Sequence, residues 1–375
     1  MTSANFERGV NVLWGMNAQG KSNILESIYY FARGRSFRGG RDSELIRFGE
    51  SYTSSSLTYR RDGYENDTVL DCVIPKNGKK KLRKNSVNLS SVAEMMGVFR
   101  AVMFCPKDLN LVTGGPLERR TFLDVALSQL SDTYLAYLRR YTKALGERNA
   151  LLKRAGDGNT VTRGEWEVYA EVMAESAAVV SSYRNDYVNM LSGEVARYFS
   201  DMTSGGEVPE LKYSSHALYD GMPTPLSSIE QTKLENVLYE KLLANIERES
   251  IVGSTLWGIH KDDVSLMING REAKMYASQG QQRSIALSLK LGEAEIANRL
   301  GGEYPVILLD DVFSELDEKR IRYILDILAS DGEEKRQIII TSCEPDIIPK
   351  EQLSHVKFNH VVNGEVVSDE VGDVR

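Results

Sequence analysis

The chain is 375 residues long, with 46 Lys and Arg against 53 Asp and Glu and a formal net charge of −7. That length accommodates two domains with well-buried cores, and the acidic balance excludes a uniformly basic nucleic-acid coat while leaving room for a local basic patch. No apolar run approaches the ~18 residues that span a bilayer, residues 1–9 carry no signal-peptide pattern, and Cys72, Cys105 and Cys343 lie far apart with no C-x-x-C, which argues against a membrane, disulfides and zinc and for a reducing cytoplasm.

Residues 10–14 are apolar but for Asn11 and read as a strand leading into Gly15-Met16-Asn17-Ala18-Gln19-Gly20-Lys21-Ser22. This is the G-x-x-x-x-G-K-[ST] phosphate-binding loop, and Ile24, Leu25, Ile28 and Phe31 follow it at helical spacing. Glycines let the backbone close around phosphate, and the N–H groups of the helix N-terminus face the anion. Lys21 is expected to reach the β- and γ-phosphates of ATP, and the Ser22 hydroxyl to hold Mg²⁺. The bland alternative is a glycine-rich turn that caps a helix.

A basic link, Arg33-Gly34-Arg35-Ser36-Phe37-Arg38-Gly39-Gly40, follows. Residues 56–59 and 69–74 read as antiparallel strands turning near Arg61-Asp62-Gly63. Asn77-Gly78 is a hairpin-turn signal, and Lys79, Lys80, Lys81, Arg83 and Lys84 beyond it are the densest positive charge in the chain. They fit two readings, a solvated edge-protecting hairpin or DNA phosphate contacts. Residues 99–104 form another buried strand, and Gly114-Gly115-Pro116 breaks the pattern.

The spacing predicts one helical stretch over 117–154, ended at Gly156, and a second over 163–199, together an antiparallel arm. Interruptions by tyrosine and small residues argue against a long coiled coil. Trp166 and Tyr169 read as core. Residues 202–225 are loop- and strand-like, and Leu234, Val237, Leu238, Leu242 and Ile246 mark a returning helix.

Val306-Ile307-Leu308-Leu309-Asp310-Asp311 reads as a doubly covered parallel strand with two carboxylates at its C-terminal end, where open α/β sheets bind ligands. Asp310 is the expected Mg²⁺ ligand, and Asp311 the group that activates the attacking water. For these carboxylates to meet the phosphate loop, the middle of the chain must be an insertion. Ser278 and Gln281 form an S-x-x-Q capping box, which by itself explains a helix start. Yet Ser278-Gln279-Gly280-Gln281, placed before the apolar-Asp-Asp strand, resembles the signature of ABC-type ATPases. That likeness implies that Ser278, Gly280 and Gln281 close on a γ-phosphate held by a second protomer, with Ser314-Glu315-Leu316-Asp317 crossing the interface. Gln337-Ile338-Ile339-Ile340-Thr341-Ser342 is a further strand, with no firm role for Thr341.

Taken together, the chain resembles the RecF family of bacterial recombination mediators, relatives of SMC proteins. The resemblance is carried by the phosphate loop with Asn23, Gly34-Arg35-Ser36, Phe104-Cys105-Pro106-Lys107-Asp108-Leu109, Glu118-Arg119-Arg120-Thr121-Phe122-Leu123-Asp124, Gly258-Ile259-His260-Lys261-Asp262-Asp263, Ser278-Gln279-Gly280-Gln281-Gln282-Arg283, and residues 308–317. It implies an α/β fold, an ABC/SMC-like P-loop ATPase head with an inserted mostly helical arm, divided as 1–112, 113–255 and 256–375. It also implies ATP-dependent homodimerisation, slow hydrolysis, binding of duplex and single-stranded or gapped DNA at the nucleoid, and a role in DNA repair, replication and the SOS response. RecR and RecO, and through them RecA, are the implied partners. One departure is at the N-terminus, where the family pattern anchored on the loop has roughly twenty further residues, including a strand and an arginine-bearing turn. Two readings compete with the ATP-gated DNA-binding protein: a monomeric P-loop phosphotransferase, for which no acceptor pocket or lid motif is present, and another SMC-like ATPase scaffold, for which no nuclease cluster is present.

Overall fold

Three runs, residues 10–14 (apolar but for Asn11), 101–104 and 306–309, are almost wholly buried, as strands covered on both faces must be. In the computed structural model they lie in one sheet. The structure describes residues 2–203, 205–216, 231–329, 336–344 and 356–367. The end of the loop- and strand-like stretch expected over 202–225 lies outside them.

The chain divides into two compact units, residues 1–108 with 293–375, and residues 109–292. The first contains β1 (Gly9–Trp14), α1 (Lys21–Arg33), β2 (Tyr52–Tyr59), β3 (Thr68–Pro75), β4 (Lys81–Lys84), β5 (Val87–Leu89) and β6 (Ala101–Phe104). The second contains α2 (Asn110–Thr113), α3 (Pro116–Leu130), α4 (Asp132–Gly156), α5 (Arg163–Thr203), β7 (Pro209–Ser214), α6 (Gln231–Ala244), α7 (Ile246–Val252), β8 (Asp263–Ile268), β9 (Arg271–Glu272) and α8 (Ala273–Tyr276). The boundary falls inside α9 (Gln279–Gly301), after which the first unit resumes with β10 (Val306–Leu309), α10 (Glu318–Ala329), β11 (Gln337–Ser342), β12 (Val356–Val362) and β13 (Glu365–Val367). Residues 256–292 therefore pack with the helical unit rather than with the head, because β8 pairs antiparallel with β7 over its whole length.

In the first unit a six-stranded sheet has the order β13-β12-β1-β11-β10-β6, parallel except for the antiparallel edge strand β13. A separate four-stranded antiparallel sheet has the order β2-β3-β4-β5. Leu25, Ile28 and Phe31 of α1 share one buried cluster with Leu13, Leu308 and Ile339 of the large sheet and with Leu70, Cys72, Ile74 and Leu82 of the small one. The expected strands at 56–59 and 69–74 are present and longer.

In the second unit the helical stretch expected over 117–154 is two helices. Ser131 adopts an extended conformation, and its hydroxyl accepts the Tyr134 N–H at 3.1 Å, which starts α4 as a new helix. α4 and the 41-residue α5 run antiparallel. Successive cross-contacts pair Arg154 with Glu165, Arg140 with Glu175 and Tyr134 with Tyr183. Trp166 is buried with Leu151 and Leu152, and Tyr169 packs against that cluster.

The Glu118–Asp124 and Gly258–Asp263 stretches meet around buried charge in this unit. Arg119 makes a two-pronged contact to Asp263 at 2.7 and 2.9 Å. Arg184 bonds Asp124 at 2.7 Å, the Ile259 carbonyl at 3.0 Å and the Tyr134 hydroxyl at 3.1 Å. Asp262, wholly buried, accepts the His216 N–H at 2.6 Å and the Tyr213 hydroxyl. Burial pushes its carboxyl up to about 6 against the opposing pull of Arg184. His260 sits between the Tyr141 hydroxyl at 2.7 Å and the Thr255 carbonyl at 3.0 Å, and burial pushes it down to about 4.

These two groups respond to pH in opposite directions. Asp262 keeps its proton to higher pH in the folded state, so its contribution to stability falls as pH rises from about 4 through 6. His260 resists protonation when folded, so its contribution falls as pH drops from about 6.5 through 4. In Asp262→Asn the falling limb is removed. Urea unfolding of this variant is expected to show stability improving relative to wild type as pH rises from 4 to 6, and His260→Gln the reverse trend. Parallel pH profiles for all three proteins would contradict the assignment.

Candidate nucleotide site

The register of the large sheet builds the site. β11 pairs with β1 on one side, Leu13 opposite Thr341 and Trp14 opposite Ser342, and with β10 on the other, Leu309 opposite Ile340. The phosphate loop leaves the C-terminal end of β1 and Asp310 leaves that of β10. Both emerge from one sheet edge, about 10 Å apart at ~4.8 Å per strand. Lys21 and Asp310 are separated by nearly the whole chain in sequence, and parallel pairing brings them together.

Backbone geometry explains the loop residues. Gly15, Ala18 and Gly20 have φ of 150°, 64° and 98°. A Cβ on Gly15 would lie 2.5 Å from the Val361 carbonyl oxygen of β12, so no side chain fits there. α1 begins at Lys21 with no side-chain cap, which leaves its first N–H groups for an anion. The Lys21 ammonium donates to the Gly15 and Met16 carbonyls at 2.5 and 2.9 Å. Met16 is 78 % exposed at the loop tip. Ser22 is half-buried in the first turn of α1.

Contacts that the motif does not announce hold the loop from two sides. The β12–β13 turn donates the Gly364 N–H to the Gln19 carbonyl at 2.8 Å and the Asn363 N–H to the Gln19 side chain at 2.5 Å. The Cys343 thiol lies 3.0 Å from the Asn17 side-chain oxygen. Below the loop, Trp14 stacks on His360 with ring centroids 3.9 Å apart. The hairpin carries a sequence signal, Asn363-Gly364.

Thr341 organises the carboxylates. Its buried hydroxyl donates to Asp310 at 3.1 Å and accepts the Asp311 N–H at 2.9 Å. Asp311 takes a φ of 52°, a left-handed conformation that non-glycine residues rarely adopt. Thr341 holds that turn through its hydrogen bond. Ser314 closes it by donating to the Asp311 carbonyl at 2.8 Å.

The site fits a Mg-nucleotide. A free helix N-terminus and Lys21 suit phosphate, and the Ser22 hydroxyl with the Asp310 carboxylate is a hard oxygen pair. Among the described residues no cluster of three or more His, Cys, Asp or Glu could hold a metal ion. Mg²⁺ characteristically uses one or two protein oxygens and completes its shell with phosphate and water.

Ser278, Gly280 and Gln281 belong to the other unit. Ser278 is exposed at the start of α9. The reciprocal capping box is present: the Ser278 N–H donates to the Gln281 side chain at 2.6 Å, and the Gln281 N–H to the Ser278 hydroxyl at 3.3 Å. Gln281 also donates to Glu207 at 2.6 Å, so its amide is engaged at both ends as a cap. The Ser278 oxygen accepts in the cap, which leaves its hydroxyl proton available to a phosphate.

The lysine-rich hairpin does not present one surface. β4 is an interior strand of the small sheet, not an edge. Lys80 turns inward and donates to the Tyr30 hydroxyl, the Gly34 carbonyl and Asp42. Lys81 and Arg83 fall on one face and Lys84 on the other, since strand residues alternate. Arg83 stands across from Asp71 and bonds Asn88 at 3.2 Å. Lys79 and Lys81 are exposed.

A family model described as the RecF/RecN/SMC N terminal domain matches residues 1–364. The chain is 38 % identical over 367 residues to the DNA replication and repair protein RecF of Clostridium novyi, covering 97 % of this chain and 95 % of that protein. It is 38 % identical over 363 residues to RecF of Bacillus velezensis, covering 96 % and 94 %. A solved structure described as the recombination mediator protein RecF-ATP in the RecFOR pathway superposes with a TM-score of 0.86 at 33 % identity, over 98 % of this chain and 93 % of that one. The Smc head domain from Pyrococcus furiosus superposes with a TM-score of 0.54 at 15 % identity, over 98 % and 92 %, which shows a common fold. The architecture is accordingly an α/β ABC/SMC-like P-loop ATPase head with a mostly helical insertion.

The Thr341 geometry gives a test. Thr341→Val is expected to raise the Mg²⁺ concentration needed for half-maximal ATP binding by roughly 10- to 100-fold, the usual effect of losing a group that orients a metal ligand. Nucleotide binding without Mg²⁺ should be unchanged, and Thr341→Ser should restore the wild-type value. An unaltered Mg²⁺ dependence in Thr341→Val would reduce Thr341 to a packing residue.

Proposed function

The chain belongs to the RecF family, and on that premise we propose that it is an ATP-gated DNA-binding protein of recombinational repair and replication. The observation that carries this reading is the division of the nucleotide residues between units. Lys21, Ser22, Asp310 and Asp311 gather at one sheet edge, whereas Ser278 stands exposed at a helix start in the helical unit. ATP bound by the first set in one protomer is capped by Ser278 and Gly280 of a second. An N–H cluster and a hydroxyl aimed at a γ-phosphate gain most when that phosphate is present, so ATP favours the closed pair over the open one.

Each group has one task. The loop N–H groups and Lys21 bind and orient the phosphates. Ser22 and Asp310 are the residues that would hold Mg²⁺, which supplies charge neutralisation on the phosphates when bound. Asp311 polarises the attacking water, and the hydrogen bonds with Thr341 and Ser314 that hold its turn support that role. Breakdown of ATP removes the contact that favours closure and releases the pair. The closed pair binds duplex and single-stranded or gapped DNA and acts with RecR and RecO upstream of RecA; the RecFOR pathway named for its structural relative supports the RecR and RecO part of this reading. Among the described residues no helix is long and apolar enough to cross a membrane.

Lys21→Ala is expected to abolish nucleotide-dependent dimerisation. Ser278→Arg should keep ATP binding within about twofold yet remain monomeric, because added bulk and the loss of the hydroxyl fall at the cap and not in the loop. Gel filtration with and without ATP reads both. A Ser278→Arg protein that dimerises normally would rule out the two-protomer site.

A further inference from the structure

Lys80 ties three separate chain segments to one point. Its ammonium donates to the Tyr30 hydroxyl at 2.8 Å, the Gly34 carbonyl at 2.8 Å and the Asp42 carboxylate at 2.7 Å. It also lies 5.1 Å from the centre of the Tyr30 ring. The end of α1 with Gly34, the turn that starts at Asp42 and the β3–β4 turn are thereby fastened together. Each segment carries exposed cations directly beside the fastening. Arg35 follows Gly34, Arg41 precedes Asp42, and Lys79 and Lys81 flank Lys80.

None of these four side chains makes a hydrogen bond or ion pair with another described residue. Several basic residues elsewhere in the same unit are paired. Arg60 pairs with Asp67 at 2.7 Å, Arg61 with Glu303 at 2.7 Å and Lys357 with Glu7 at 2.9 Å. In the same stretch Asp42 is neutralised by Lys80, and Glu44 lies folded over Gly40. Four uncompensated cations against one open carboxylate, in a chain of net charge −7, form a concentrated positive surface.

The arrangement suits a repeated anion. The cations stand on separate segments around the fastening, and none of the four lines the cavity beside Tyr30, so a single small anion would meet few of them. A phosphodiester backbone offers charge at regular intervals. The surface is also tied to both ends of α1, the helix that starts at the phosphate loop. Arg35 lies just past its C-terminus, and Arg38 returns to its first turn through Asn23 at 2.9 Å. At 1.5 Å per residue the helix between them is about 20 Å long.

We propose that Arg35, Arg41, Lys79 and Lys81 form a ridge that contacts the phosphate backbone of nucleic acid, with Lys80 as the internal fastening that aligns them. This rests on the DNA-binding reading above and replaces the lysine run as the contact set: Lys80 is internal, Arg83 is engaged by Asn88, and Lys84 falls on the strand face opposite Lys81.

The test is fluorescence anisotropy with labelled duplex DNA and ATP over about 50–200 mM salt. A protein carrying Arg35→Gln, Arg41→Gln, Lys79→Gln and Lys81→Gln is compared with wild type, and Arg35→Gln alone serves as a milder variant. Each lost phosphate contact lowers the slope of log K against log salt by about 0.9. The fourfold change should therefore lower it by about 3 to 4, and Arg35→Gln by about 1, with ATP binding and ATP-dependent dimerisation retained. Slopes equal to wild type in both variants would overturn the ridge and leave the ATP-gated DNA-binding reading standing. Failure of wild type to bind DNA at any nucleotide condition would instead overturn that reading, and the ridge with it.

Discussion

Everything in the head depends on β11 pairing in parallel with β1 on one side and β10 on the other. That pairing sets the phosphate loop and the Asp310-Asp311 carboxylates on one edge and slots Thr341 between them. It also dictates the rest of the chain. Parallel strands cannot be joined by a tight turn, and here the connection from β6 to β10 is long enough to hold a unit with its own core, its own three-stranded sheet and its own buried charge network. The insertion is the consequence of closing a sheet from strands drawn from both ends of the polypeptide.

The chemistry of the site is local to short segments, and for that reason much of it was legible in the sequence. The loop is fixed by glycines that tolerate positive φ and by a lysine at a set distance from them. β10 is fixed by an apolar run that ends abruptly in carboxylates. What was not legible depends on distant partners. Lys80 reads as one more cation in a run, because Tyr30, Gly34 and Asp42 are 50, 46 and 38 residues away. Thr341 reads as a strand hydroxyl until the register sets it beside Asp310. Ser131 is the local exception: its partner Tyr134 is three residues away, and only its extended backbone shows that it is a cap breaking the helix expected over 117–154. Asn363-Gly364 was readable as a turn, but nothing in its own residues says that the turn holds Gln19 of the phosphate loop.

Ser278 shows that a structural role and a functional one need not compete. Its oxygen accepts the Gln281 N–H and so starts α9, while its proton remains free for a ligand. Gln281 resolves the other way, since both ends of its amide are engaged. In the helical unit the buried network of Asp124, Arg184 and Asp262 joins two sequence stretches far apart in the chain. Buried charges leave little tolerance for misplacement, because removing one partner strands the other in a low-dielectric interior. The same long-range logic that builds the nucleotide edge thus builds the helical unit.

A triphosphate held between two copies is tested most directly by complementation in a mixture. Lys21→Ala lacks a working loop but has an intact cap, and Ser278→Arg has the loop but lacks the cap. Light scattering of the two variants mixed with ATP is predicted to detect dimers, since one of the two composite sites in the mixed pair is whole, while each variant alone stays monomeric. A mixture that remains monomeric while wild type dimerises under the same conditions would contradict the shared site.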